Sequence, residues 1–255
     1  MKNNNKFRLD VWGAITLGTI ALYALFLLYP MAYLIRQSVL DPDTGSFTLA
    51  YFTKFFSKSY YFDTLINSFK VSITATVLSI AIGTPLAYLF TIFKIKGKSV
   101  LNILIVVASM SAPFIGAYSW ILLLGRSGII TTFFKNLGIA IPDIYGFGGI
   151  VLVMTLQLFP LVFLYSKGAL KNIDNSLIEA AENLGCSGIA CFFKVVVPLI
   201  MPTLLAAALL VFMRSFADFG TPMLIGEGYR TFPVVLYTEF INEVGGSDGF
   251  AAAIA

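Results

Sequence analysis

The sequence predicts an all-α protein, a polytopic bundle of membrane-spanning helices. Three observations carry this reading. Of 255 residues, 58% are hydrophobic and only 12% are charged, against about 25% charged in a soluble domain. The uncharged residues gather in five long runs, each close to or beyond the roughly 20 apolar residues that a helix needs to cross the hydrocarbon core. Lysine and arginine are dense in alternate connecting segments, as expected when those segments stay on the cytoplasmic side.

The first run is Val11–Ile35. It follows Lys2, Lys6 and Arg8, as a signal peptide would, but it is too long for a signal core and no small-x-small cleavage site follows. It reads as an uncleaved anchor. The second run is Val71–Phe93, the third Ser99–Gly125, the fourth Ile144–Ser166, and the fifth runs from about Val195 to Met213. A sixth apolar run starts near Phe250, and the sequence stops at Ala255. The whole chain, 1–255, reads as one transmembrane domain of five complete spans and the start of a sixth.

In the second run Ala75, Ser79, Gly83 and Ala87 recur every four residues, a spacing that lets helix backbones approach closely in lipid. Thr84-Pro85 is expected to bend that helix. Pro113 and Pro160 fall inside the third and fourth runs, where neighbouring helices or cavity water must satisfy the freed carbonyls. Ordinary bundle packing and kinked helices lining a path are both open.

With the N-terminus inside, the segments 1–10, 94–98 and 167–194 hold Lys2, Lys6, Arg8, Lys94, Lys96, Lys98, Lys167, Lys171 and Lys194. The longer segments on the other side hold Arg36, Lys54, Lys58, Lys70, Arg126, Lys135, Arg214 and Arg230. The basic density is more than twofold higher in the first set. The expected location is the cell (inner) membrane, multi-pass, with the N-terminus cytoplasmic. The net charge of +4 is spread along the chain, which fits orientation in a membrane and not nucleic-acid binding. Histidine is absent, and Cys186 and Cys191 lack a partner pair for zinc. No cofactor or metal site is expected, and the two cysteines read as ordinary reduced thiols.

The most informative segment is the long cytoplasmic loop 167–197. Ser176-Leu177-Ile178-Glu179 reads as a capping box, with Ser176 as N-cap and Glu179 reaching back. Gly185 suits the left-handed position after a helix end. Between them lies a two-turn helix, with Leu177, Ala181 and Leu184 on one face and Glu179, Glu182 and Asn183 mostly on another. So short a helix is not stable alone. It docks either on its own bundle or in a groove of a cytosolic partner.

Here the sequence resembles a known family. Glu179-Ala180-Ala181, Gly185 after three more residues, and Val195-x-Val197-Pro198 after nine more resemble the EAA loop of binding-protein-dependent ABC importer permeases, whose pattern has Ile and Leu where Val195 and Val197 stand. Ser111-Ala112-Pro113 through Trp120, Leu124-Gly125-Arg126-Ser127-Gly128, Ile144-Tyr145-Gly146 and Ala217-Asp218-Phe219-Gly220-Thr221-Pro222 resemble its ferric-iron branch. Polyamine, thiamine and phosphonate branches share much of this wording. The iron-branch permease is commonly one long chain of two six-helix halves, and this sequence resembles the first half.

The resemblance implies a coupling helix seated in a cleft of a separate cytosolic ATPase, with Ser176, Glu179, Ala180, Ala181, Gly185 and Pro198 as coupling residues. It also implies an extracytoplasmic substrate-binding protein and a second permease half or homodimer mate, all within membrane lipid. Ferric iron is the first expectation for the substrate.

The chain is not expected to be an enzyme. Gly97-Lys98-Ser99 matches the tail of a phosphate-binding loop, but Ile92 occupies the first glycine position. An ion-coupled carrier would want carboxylates near mid-membrane, and none of the five runs contains Asp or Glu. A Ser–Lys intramembrane hydrolase would need a lysine within a span, and there is none. Arg214 and Asp218, four apart at the outer end of the fifth run, suit a helix-face ion pair or an outer gate. Ser109, Ser119, Thr155 and Gln157 face either a hydrated path or neighbouring backbone. Glu227, Arg230 and Glu239 fall in the outer segment, where a binding protein would dock.

Overall fold

The computed structural model describes residues 11–41, 45–93, 95–110, 112–139, 141–186, 188–241 and 248–254. Lys2, Lys6, Arg8, Lys94 and Ser111 lie outside the described residues. In chain order the helices are α1 (Val11–Tyr23), α2 (Tyr29–Val39), α3 (Ala50–Ser57), α4 (Ser59–Ile92), α5 (Lys98–Ser109), α6 (Pro113–Leu124), α7 (Ile129–Asn136), α8 (Phe147–Lys171), α9 (Asn175–Asn183), α10 (Gly188–Cys191), α11 (Val197–Phe216), α12 (Gly220–Ile225), α13 (Phe232–Ile241) and α14 (Asp248–Ile254). Single wide π-helical turns, Ala24–Leu28 and Phe192–Val196, join α1 to α2 and α10 to α11. Among the described residues the sole β feature is an isolated antiparallel bridge, Leu40 to Phe47.

Five stretches are long and apolar enough to cross a membrane: Val11–Val39, Ser59–Ile92, Pro113–Asn136, Phe147–Lys171 and Gly188–Phe216. The expected third span, 99–125, is not one helix. It is divided into α5 and α6 around Met110 and Ala112, because Pro113 has no N–H to continue the hydrogen-bond ladder and takes the first position of α6. The second span begins twelve residues earlier than expected, at Ser59, and the fifth at Gly188. Pro85 and Pro160 lie within α4 and α8 without ending them.

Both π turns share one local setting. Each stands immediately before an X-Pro pair, Tyr29-Pro30 and Val197-Pro198. Proline cannot donate within the ladder. In each case the preceding residue donates five back instead of four: Tyr29 N–H to Ala24 O, and Val197 N–H to Phe192 O. The helix widens by one residue and runs on.

The chain groups into two compact units: 1–62 with 236–255, and 63–235. In the first, α14 packs on α2 and α3. Phe250 is 1% exposed, its ring 4.9 Å from that of Tyr61 and capped by Lys54 Nζ at 4.1 Å. The Tyr61 hydroxyl donates to Glu239 at 3.1 Å.

The second unit is built on α4, α8 and α11. Ala75, Ser79, Gly83 and Ala87 are all buried. A Cβ on Gly83 would stand 2.8 Å from Phe159 O and 2.9 Å from Val162 Cβ, so only glycine permits this backbone approach of α4 to α8. One cluster gathers Ala87, Phe90, Val162, Phe163, Leu170, Phe192, Val196, Ile200, Leu204 and Val211. The other gathers Val71, Ala75, Ala117, Ile144, Ile150, Val151, Val153, Met154 and Ile225.

Candidate functional site

The candidate site is the segment joining α8 to α11. Helix α8 continues to Lys171, five residues past the expected span, so the connection is a short turn, then α9, then a second turn. The loop expected over 167–197 is therefore mostly helical.

The N-terminal cap differs from the expected capping box. The Asp174 Oδ1 carboxylate oxygen accepts the Ser176 N–H at 3.0 Å, and Asp174 O accepts the Leu177 N–H at 3.1 Å. Asp174 is the cap, and Ser176 lies inside the helix. The physical reason is the acceptor: a carboxylate at the positive helix end also gains from the helix dipole, which a hydroxyl does not. Hydrogen bonds from the Ser176 backbone N–H and from its side chain hold the Asp174 carboxyl below its ordinary range.

The C-terminal end is as anticipated. Gly185 has φ +85°, the left-handed region that costs glycine least. The Leu184 N–H completes the helix ladder to Ala180 O at 3.2 Å, and the Cys186 N–H reaches back to Ala181 O at 3.0 Å, the wider bond that closes a Schellman motif.

Between the caps, α9 is divided by face. Ile178 packs on the α4–α8–α11 cluster, and Ala181 is half-buried. Glu179 and Ala180 are exposed. Leu177 is 50% exposed, Leu184 88% and Ile189 78%. Of the two thiols, Cys186 is half-buried and Cys191 is 1% exposed.

Pro198 does not begin the fifth span. It lies inside the continuous stretch Gly188–Phe216, directly after the π turn.

At the other end of α11, Arg214 and Asp218 form no ion pair. The helix ends at Phe216, so the i, i+4 geometry is lost. Arg214 is exposed. Asp218 turns to α12, where its carboxylate accepts the Thr221 N–H at 3.3 Å and the Thr221 hydroxyl at 2.8 Å. Burial raises the Asp218 pKa above its ordinary value, against the lowering effect of these hydrogen bonds.

The polar residues of the spans divide into two sets. Ser109 and Ser119 donate to Val106 O and Ile115 O of their own helices. Thr155 Oγ1 and Gln157 Nε2 on α8, with Ser72 Oγ and Ser79 Oγ on α4, are buried without a hydrogen-bond partner among the described residues.

One grouping was not expected. Arg126 pairs with Glu227 at 2.9 Å and with Asp143 at 3.3 Å, and its guanidinium lies 4.9 Å from the Tyr145 ring centroid. Arg126 and these partners come from three separate turns, so no local spacing signals the grouping. The Arg230 carbonyl accepts from Asn67 at 3.1 Å.

A family described as binding-protein-dependent transport system inner membrane component matches residues 46–255. The chain belongs to this family. Among similar family members, it is 28% identical over 220 residues to a putative ferric transport system permease protein of Haemophilus influenzae, covering 86% of this chain and 34% of that one. It is likewise 28% identical to a ferric transport system permease protein of Actinobacillus pleuropneumoniae, covering 93% and 34%. A spermidine/putrescine transport system permease protein of Haemophilus influenzae is 29% identical, covering 88% and 79%. The chain thus spans about a third of the length of the two ferric permeases. The chain's fold is also similar to that in solved structures of a bacterial ABC transporter involved in import of the acidic polysaccharide alginate, at 16% identity. One superposes with a TM-score of 0.70 over 96% of this chain and 88% of that one. A second, in complex with a pentasaccharide-bound periplasmic protein, gives 0.74 over 96% and 87%.

Proposed function

We propose that this chain is the membrane-spanning permease subunit of an ATP-driven, binding-protein-dependent importer, and that α9 is its coupling helix. The observation that carries the proposal is the design of α9. It is a two-turn helix fixed at both ends, anchored to the span bundle by Ile178, with Leu177 and Leu184 turned outward. An exposed apolar face on a short, doubly capped helix suits insertion in a partner's groove.

In this reading Glu179, Ala180 and Ala181 face the ATPase, Gly185 permits the turn, and Pro198 passes motion into the fifth span. Ser176 contributes as a first-turn residue held by Asp174. ATP is hydrolysed on the separate subunit. The N-terminus and α9 are cytoplasmic, as the lysine distribution favours. An extracytoplasmic binding protein delivers substrate, and a second permease half or a second copy completes the path through lipid. Ferric iron is the substrate this reading favours, with polyamine second, since relatives of both kinds have similar identity; thiamine and phosphonate follow from the broader resemblance.

The test uses the native thiol. Because Cys191 is buried, a photo-crosslinker attached in native membranes goes to Cys186. Capture of an ABC ATPase, lost on Glu179→Lys or Gly185→Glu, is the expected result. Capture of only this chain or of lipid overturns the coupling role. Uptake of labelled iron against labelled spermidine, in cells carrying the intact transporter, then separates the substrates.

A further inference from the structure

The face of the bundle beside α9 carries a second feature that the coupling role does not use. Helix α5 packs against α8, so the start of one meets the end of the other. Lys98 opens α5, and Lys167 and Lys171 stand one turn apart at the end of α8. Lys167 Nζ donates to Asn102 Oδ1, one turn into α5, and lies 5.4 Å from the Phe163 ring centroid. Both Lys98 and Lys171 are close enough to act electrostatically on Lys167. None of the three lysines has a carboxylate within ion-pair distance among the described residues. The first turn of α5 follows Gly97, at φ +79°, with no side-chain cap. Its N–H groups therefore add a positive helix end to the same place.

Three gathered cations and a helix N-terminus without a side-chain cap, at the edge of apolar spans and with no carboxylate in ion-pair distance among the described residues, call for an anion at the membrane surface. We propose that Lys98, Lys167 and Lys171, with the start of α5, form a binding site for the phosphate headgroup of an anionic phospholipid in the leaflet on the α9 side. The lysine stems lie along apolar surface while their ammonium groups reach the headgroup level. That this leaflet is the cytoplasmic one rests on the orientation proposed above.

The experiment is native mass spectrometry of the full chain, extracted in mild detergent with its own lipids and then titrated with phosphatidylglycerol. The expected result is retained anionic lipid, with affinity falling by about fivefold for each lysine neutralised in Lys98→Gln, Lys167→Gln and Lys171→Gln. Retention by the triple Lys→Arg variant is expected. Lys135→Gln, on a different turn, serves as control and is expected to bind as the parent does. Lys171→Gln alone, at an exposed position, keeps the test valid if the triple variant fails to fold. Equal retention of phosphatidylglycerol and phosphatidylethanolamine, or unchanged retention in the Lys→Gln variants, overturns the site. Displacement of the lipid by inorganic phosphate at equal concentration also overturns it, assigning the cluster to free phosphate. Labelling of a Lys171→Cys variant from the outside would overturn the orientation and leave the lipid site standing.

Discussion

The most apolar 18-residue stretches of the first and fourth spans have nearly the same mean hydropathy, 2.0 within Val11–Val39 and 2.2 within Phe147–Lys171, yet none of the first stretch is buried and half of the second is. Along the first span, side chains such as Trp12, Phe26 and Ile35 are more than 60% exposed. Along α8, Ile150, Val153, Val162 and Phe163 are fully buried. Hydropathy reports that a segment avoids water. It does not report whether lipid or protein replaces the water, because lipid tails are as apolar as leucine. What separates the two helices is the neighbour's shape: Gly83 and Ala87 of α4 offer a groove to α8.

The sharpest way to break this comparison is to fill that groove. Gly83→Leu is expected to destabilise the protein by about 3 kcal/mol through overpacking against Phe159 and Val162. Gly18→Leu in α1, where an added Cβ meets nothing within 4 Å, is expected to change little. Thermal melting of both variants in the same detergent checks the pair. Next in size is Phe163→Ala, expected to cost about 2 kcal/mol, mainly as cavity. The matching Phe26→Ala at a 74% exposed position is expected near zero by the same measurement.

Smaller effects belong to the segment where α8 gives way to α9, where backbone geometry takes over from packing. Gly185→Ala forces a Cβ into the left-handed region and is expected to cost about 1 kcal/mol; limited proteolysis between Leu184 and Ile189 is expected to speed up accordingly. The smallest effects are pH-dependent and of opposite sign. The Asp174 carboxyl lies below its ordinary value, so its contribution is present above the unfolded carboxylate pKa and is lost as pH falls through the lower folded one. The Asp218 pKa is raised, so its contribution is present at low pH and is lost as pH rises through the higher folded value. Melting Asp174→Asn and Asp218→Asn across the acidic range is expected to flatten the two slopes in opposite directions.

Much of this was legible because it is local. Uncharged runs long enough to span a bilayer can be counted, and Gly185 after a capped two-turn helix predicts its own left-handed backbone. The small residues of α4 announce a close contact without naming the partner. The cap was misread because Asp174, two residues before Ser176, offers a stronger acceptor, and a spacing motif does not weigh competitors. The two π turns each precede an X-Pro pair, but Thr84-Pro85, Phe159-Pro160 and Met201-Pro202 lie in unbroken α-helix, so the pair alone does not predict them.

The sequence by itself determined that the chain is helical, that five stretches have the length and apolarity to cross a membrane, and where a short helix interrupts them, since these depend on composition and on turn chemistry within a few residues. Only the tertiary structure decided that α8 is buried against α4 and α11, that Arg126 meets Asp143 and Glu227, that Asp218 turns to Thr221 and not to Arg214, and that Lys98 shares a face with Lys167 and Lys171. Each of these joins groups whose meeting is set by the packing of whole helices or by where a helix stops, and neither the hydropathy of a run nor the spacing of its residues contains that information.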